Sequence, residues 1–204
     1  MMLHSIFCSV IAGSVLLLCI SAGEGAVLLG FCAALVIHES GHIAAAALLG
    51  VPTGGIAGGA AGIHLRCSFD RRSPTRNIAV CLAGSLSNLL TAGLAVIIGL
   101  PSADGGMYFI LTSLTLGGLN LLPISGLDGG AVMSELLSLF MLPDRAWQAE
   151  RIISCICALA FWCVSVRIQL CGGTNLSMLI MSLYFLYSAG LIGERSGRRQ
   201  HRIR

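Results

Sequence analysis

The sequence predicts an all-α membrane protein with about six spanning helices. Hydrophobic residues make up 56% of the 204-residue chain. Charged residues make up only 10%, against about 25% in soluble domains. A chain of this composition cannot cover a water-facing surface with polar groups. This excludes a soluble globular domain, a disordered chain and a nucleic-acid-binding protein. The apolar residues also fall into runs of about 20, the length that a helix needs to cross a bilayer.

Six apolar segments supply the predicted spans. The first has no basic residue at its start and only a mediocre cleavage site after it, so we expect a retained anchor rather than a signal peptide. The fourth is longer than the others and is interrupted by Gly117, Gly118, Pro123 and Gly126, so we expect a broken helix there. In order, the segments are 3–22, 26–49, 78–100, 107–142, 152–170 and 176–192.

The basic residues predict the orientation of the chain. All twelve are arginine, and all except Arg167 lie in 66–76, 145–151 or 195–204. These three stretches fall on one side of the membrane if the chain starts inside and crosses six times. Because arginine-rich loops stay in the cytoplasm, we expect both termini there, in a bacterial cytoplasmic membrane. Residues 1–193 then form one membrane domain, and 194–204 form a basic tail.

Ionisable and amide side chains inside the predicted spans are the candidate functional residues, because such groups are costly in hydrocarbon and are usually retained for a function. They are His38, Glu39, His42, Asn88, Asn120, Asp128 and Glu135.

The string HESGH at 38–42 matches the H-E-x-x-H pattern. On a helix, histidines four residues apart project from one face, and both can bind one zinc ion at about 2.0–2.1 Å. Glu39 is offset by one position and can accept a proton from water at the open coordination position. The alternative is a helix with two satisfied histidines and a paired glutamate. That alternative does not explain three ionisable groups in a membrane span.

Catalytic zinc usually has three protein ligands, so a third must come from elsewhere. Asp128 is the strongest candidate, because the string NLLPISGLDGG interrupts the fourth span, and irregular backbone at membrane depth needs a protein or water cover. We expect it at the N-cap of a second half-helix; a cap without a metal is the alternative. Glu135 is the rival third ligand, but it lies two turns, about 10 Å, further along, which favours a paired or loop-facing carboxylate near the cytoplasmic end. His64 is interpreted as a loop histidine rather than a ligand.

Together, three motifs resemble the site-2 protease family of intramembrane zinc metalloproteases. They are HESGH, the string GSLSN at 84–88, and Asn120-Leu-Leu-Pro through Asp128-Gly129. The resemblance implies that His38, His42 and Asp128 bind one zinc ion and that Glu39 acts as general base and then as general acid. It also implies that Asn88 and Asn120 orient substrate or polarise its carbonyl.

The glycine-rich stretch 54–66 resembles the membrane-associated β-hairpin of that family, which offers an edge to an unwound substrate. The six-span layout is most similar to the sporulation-type branch, and we expect neither a PDZ domain nor a nucleotide-sensing CBS domain. Two departures from the pattern concern substrate positioning and regulation. Ala131 replaces the usual arginine after Asp-Gly-Gly, and Ser125-Gly126 stands where a proline-containing pair is frequent.

The resemblance implies an endopeptidase that cleaves a membrane-spanning or membrane-associated protein near the cytoplasmic face, such as a regulatory proprotein. The alternatives are an inactive homologue that escorts membrane proteins and a metal transporter. An inactive homologue would usually lack Glu39 or a ligand, and a transporter would have polar residues along several spans. We expect a membrane protein substrate and the bilayer as partners, and no nucleic acid. A regulatory partner and the oligomeric state stay open.

Overall fold

The computed structural model describes residues 25–59, 62–67, 73–100, 105–172 and 176–190. The first predicted span and the basic tail lie outside these residues. The chain divides into two compact units, residues 1–121 and 122–204. The described part contains six helices and two strands.

Three helices and a hairpin form the first unit. Helix α1 spans Gly25–Leu49, α2 spans Pro74–Ile97 and α3 spans Gly106–Asn120. Each of the three packs against the other two. Helix α2 begins with Pro74 at its first position, where the missing N–H costs no hydrogen bond and the fixed φ favours the helix.

Small residues let these helices approach closely. A Cβ on Gly30 in α1 would lie 2.9 Å from the backbone nitrogen of Phe109 in α3, and a Cβ on Gly117 in α3 would lie 3.0 Å from the carbonyl oxygen of Ser85 in α2. Packing through small residues is typical of membrane helices. In α1 the buried residues recur every four positions and include both histidines, so this packing brings the histidines to the face that is covered by other helices. These residues are Gly30, Ala34, His38, His42 and Ala46.

Strands β1 (Thr53–Gly59) and β2 (Gly62–Cys67) pair in antiparallel register, from Thr53 opposite Cys67 to Gly59 opposite Gly62, with an irregularity between Thr53 and Ile56. Two strands thus pair in the segment for which the family resemblance implied a membrane-associated hairpin. The complete hairpin and its association with the membrane stay predictions. One expectation was wrong: His64 lies in β2, paired with Ala57, and not in a loop, because the irregular glycine-rich sequence conceals the strand pattern.

Helices α4 (Asp128–Phe140), α5 (Pro143–Leu170) and α6 (Leu176–Ser188) form the second unit. Helix α5 packs against both of the others. The rings of Phe161 in α5 and Phe185 in α6 meet edge to face, with their centroids 5.0 Å apart. Polar side chains are also buried in α5 and α6, among them Ser154, Ser165 and Ser182, and Ser154 contacts the loop before α4.

Three described helices, α1, α2 and α5, are long and apolar enough to cross a membrane, which supports an integral membrane protein. The expected break in the fourth segment is confirmed, since α3 ends at Asn120 and α4 begins at Asp128. Helix α5 begins at Pro143 rather than at 152, because a run of hydropathy marks only the apolar part of a helix. Helix α6 has 13 residues, about 20 Å at 1.5 Å per residue. The six-span count stays a prediction.

Candidate metal centre

Helix α1 presents His38 and His42 side by side, as their spacing predicts. His38 is 4% exposed and His42 is 9% exposed. Their Nε2 atoms are 3.3 Å apart, and the two rings are nearly perpendicular, with an interplanar angle of 86°. Two buried imidazoles that point the same nitrogen at one another are well arranged to share a cation, because each neutral imidazole can offer one nitrogen lone pair.

The second ring nitrogen of His42 is held by helix α2. Its Nδ1 lies 2.7 Å from the carbonyl oxygen of Val80. A carbonyl can only accept a hydrogen bond, so Nδ1 carries the proton and donates it. In the neutral ring the lone pair is then on Nε2, the atom that faces His38. A backbone carbonyl behind a histidine is the usual device that fixes the tautomer and orientation of a metal ligand.

Gly84 provides the space that the His42 ring occupies. A Cβ at this position would overlap the imidazole, approaching Cε1 at 2.6 Å and Cδ2 at 2.7 Å. Any larger residue would therefore displace the ring or separate the two helices. The sequence identified Gly84 only as the first residue of GSLSN. The structure shows that its missing side chain is what allows α2 to lie against the ring.

A second glycine, next to His42 in α1, also lets the two helices approach closely. A Cβ on Gly41 would lie 2.7 Å from the carbonyl oxygen of Ala83. At the same crossing, the Ser87 hydroxyl lies 3.1 Å from the carbonyl oxygen of Ile37 and 2.8 Å from that of Gly84. Gly41 is one of the two unspecified positions of the H-E-x-x-H pattern, and Ser87 had no predicted role. Both keep α1 and α2 in tight contact beside the histidines.

Asn88 lies behind His38. It is fully buried, and its Nδ2 is 3.3 Å from His38 Nδ1. Among the residues that the structure describes, its Oδ1 is buried with no hydrogen-bond partner. The two ends of an amide are distinguished by their hydrogen bonds. With the amide turned by 180°, Oδ1 accepts a hydrogen bond from a protonated His38 Nδ1, and the lone pair of the neutral ring is then on Nε2, as in His42. The amide NH2 then becomes the group that lacks a partner.

The other predicted residues lie on three different elements. Glu39 is half-buried in α1, next to His38. Asn120 is the last residue of α3 and is half-buried. Asp128 is the first residue of α4 and is half-buried, while Leu127 occupies the N-cap position and makes no side-chain cap bond. The expected N-cap role of Asp128 is therefore wrong by one position. A carboxylate in the first turn is still favoured by the helix dipole. Glu135 is half-buried in the middle of α4.

His38 and His42 supply two buried imidazole nitrogens, and Asp128, the third ligand that the sequence predicts, supplies a carboxylate at the start of α4. The donor set fits zinc, since two imidazole nitrogens and one carboxylate oxygen are among its preferred protein ligands and leave one position open. The fixed tautomer of His42, and the space that Gly84 leaves for its ring, also suit a metal ligand.

Comparison with known proteins identifies the fold. No family model and no curated protein sequence matches the chain. Among solved structures, that of the site-2 protease from Methanocaldococcus jannaschii is similar, with a TM-score of 0.65, 19% sequence identity, and coverage of 93% of this chain and 87% of that one. The chain has the fold of a site-2 protease. At this level of identity the likeness establishes the fold, and the assignment to the sporulation-type branch stays a prediction.

Proposed function

We propose that the protein is a zinc-dependent intramembrane endopeptidase. The observation that carries the proposal is the arrangement of the two histidines of HESGH, whose Nε2 atoms lie 3.3 Å apart while the second ring nitrogen of each contacts helix α2. The two Nε2 atoms face each other while α2 orients each ring from its other nitrogen, and this arrangement suits two ligands of one shared cation. The site-2 protease fold supports the same activity.

His38, His42 and Asp128 are the proposed ligands of a single zinc ion. Zinc held by these residues would activate water and polarise a peptide carbonyl. The protein's own contribution is to keep both imidazoles in one tautomer, through Val80 and Asn88, and to hold them in a largely buried position. Burial excludes bulk water, so that the charges at the site act more strongly than they would in solution.

Glu39 is the proposed general base and then general acid. It follows His38 directly in α1, and its side chain is half-buried. Its carboxylate would take a proton from the attacking water and return it to the leaving amine. Asn120 is proposed to orient the substrate. Asn88 is proposed to orient His38, and its amide NH2 is then available for the predicted contact with a substrate carbonyl.

The proposed substrate is a membrane-spanning or membrane-associated protein, such as a regulatory proprotein, cleaved near the cytoplasmic face of a bacterial membrane. A helical segment hides its peptide carbonyls, so it must be unwound before hydrolysis. The paired strands β1 and β2 support this step. Among the described residues they form a sheet of two strands, and an extended segment can add to the edge of a sheet as a further strand. Both termini are proposed to be cytoplasmic.

Zinc content and proteolysis measured on the same preparations test the function. The wild-type protein should bind one zinc ion per chain and cleave a co-expressed single-span substrate. Glu39→Gln should keep the zinc and lose about 10²- to 10⁴-fold in cleavage rate, the usual contribution of a general base. Glu135→Gln, a half-buried glutamate on α4, is the matched control and should retain both properties.

The possible outcomes separate the three functions. Undiminished cleavage by Glu39→Gln would overturn the mechanism. Zinc binding without cleavage by the wild type, across a panel of single-span and membrane-bound proproteins, would favour an inactive homologue. Zinc flux into vesicles that contain the purified protein would favour a transporter.

A further inference from the structure

We propose that Ser154 and Ser188 are positioning residues that hold the turn before helix α4 and thereby set the position of Asp128. The inference rests on the proposed function, in which Asp128 is a zinc ligand. It concerns the point where this chain has Ser125-Gly126 in place of the proline-containing pair that the family resemblance leads one to expect.

The segment Ile124–Leu127 forms a tight turn. The Leu127 N–H donates to the carbonyl of Ile124 at 3.0 Å, and Gly126, the third residue, has a φ of +99°. This is the arrangement of a type II turn, which requires a positive φ at its third position and commonly has proline at its second. Ser125 occupies that second position.

The turn is continuous with the start of α4. The Ala131 N–H donates to the carbonyl of Leu127 at 3.1 Å. A Cβ on Gly130 would overlap the carbonyl group of Ile124, with the carbonyl carbon at 2.7 Å and Ser125 Cα at 3.1 Å. The turn therefore folds back against the first helical turn of α4, which begins with Asp128. A shift of the turn must move the backbone that carries the Asp128 carboxylate.

Serine at the second position has a requirement that proline does not have. Proline presets φ and has no N–H, whereas Ser125 is half-buried and its N–H needs a hydrogen-bond acceptor. Ser154, fully buried in α5, supplies that acceptor, with its Oγ 2.8 Å from the Ser125 nitrogen.

Ser188, the last residue of α6, holds the other side of Ser125 by donating to its carbonyl oxygen. A Cβ on Gly126 would lie 2.7 Å from the same hydroxyl, so glycine is needed for this approach as well as for the positive φ. Side chains from two helices thus fix both backbone polar groups of Ser125. Their hydrogen bonds restrain the turn. A proline at the position of Ser125 would restrain it through its ring instead.

The test is the zinc affinity of the full-length protein, measured by competition with a chromogenic chelator. Ser154→Ala and Ser188→Ala should each weaken zinc binding about 10- to 100-fold, the usual effect of losing a group that orients a ligand. Ser165→Ala in α5 and Ser182→Ala in α6 are the matched controls. Both serines are buried, and their hydroxyls donate to carbonyls of their own helices, at 3.0 Å to Phe161 and 2.7 Å to Leu179. The Ser165 hydroxyl also lies 3.4 Å from the carbonyl oxygen of Met178 in α6, so Ser182 is the stricter control. The controls should change the affinity less than about threefold.

A double variant distinguishes positioning from a general loss of packing. If Ser154 acts through Asp128, Ser154→Ala should have no further effect on zinc affinity in an Asp128→Ala background. Ser125→Pro should restore affinity to Ser154→Ala, because proline suits the second turn position and removes the N–H that lost its acceptor.

Two results would contradict the inference alone. One is a Ser154→Ala variant that binds zinc as tightly as Ser182→Ala does. The other is a loss of affinity on Ser154→Ala that is equally large with and without Asp128. A wild-type protein that binds no zinc would instead overturn the proposed function, and this inference with it.

Discussion

Gly84 lies directly against the imidazole of His42, so that any Cβ at this position would overlap the ring. The contact belongs to a row of residues spaced by four on helix α2. Val80 offers its carbonyl to His42 Nδ1, Gly84 makes room for the same ring, and Asn88 reaches Nδ1 of His38. The face of α2 therefore orients the histidines that α1 carries, and the site depends on both helices.

The first prediction concerns the room that Gly84 leaves. Gly84→Ala should displace the His42 ring and weaken zinc binding at least about 10-fold, measured by chelator competition. Gly93→Ala on the same helix is the control, since a Cβ there meets nothing within 4 Å. Alanine should stabilise that helix by up to about 1 kcal/mol. Equal zinc affinities for the two variants would show that zinc binding does not depend on the space that Gly84 leaves for the His42 ring.

The second prediction separates the two proposed uses of Asn88. Asn88→Asp keeps an acceptor for His38 Nδ1–H and should retain zinc, whereas Asn88→Leu has a similar volume and no acceptor. If Asn88 orients His38, the leucine variant should lose about 10- to 100-fold in zinc affinity. A leucine variant with full zinc affinity and impaired cleavage would indicate that Asn88 contacts only the substrate.

The third prediction concerns the dependence of cleavage on zinc and the carboxylate of α4 that binds the ion. Removal of zinc with a chelator should abolish cleavage, and added zinc should restore it. Asp128→Asn should weaken zinc binding by at least about 10-fold, while Glu135→Gln should not, because Glu135 lies two helical turns, about 10 Å, further along α4. Metal analysis of the purified variants would measure this. The opposite ranking would make Glu135 the third ligand.

The fourth prediction concerns the backbone before α4. Gly126→Ala places a Cβ at a φ of +99° and against the Ser188 hydroxyl. Strain in such a conformation costs about 1–3 kcal/mol. We expect a lower melting temperature in detergent and weaker zinc binding. Gly118→Ala in α3, where a Cβ meets nothing within 4 Å, should be tolerated. Normal stability of the Gly126 variant would argue against the turn.

Several features of the site could be predicted from the sequence because they are local. The spacing in HESGH places both histidines on one helical face, and proline and glycine between Asn120 and Asp128 predict the break between α3 and α4. Local patterns also failed in places. Hydropathy missed the polar first turns of α5, and the glycine-rich segment did not reveal that His64 lies in a strand.

The sequence by itself determined the membrane class, the helix that carries the two histidines and the donor types that suit zinc. Only the tertiary structure determined which residues of other helices orient those donors. The partner of His42 is 38 residues away, that of His38 is 50 away, and Ser154 is 29 residues from the turn that it holds. The periodicity of a helix determines which residues share a face. It carries no information about which face of another helix lies opposite, because that depends on close packing between segments distant in the chain.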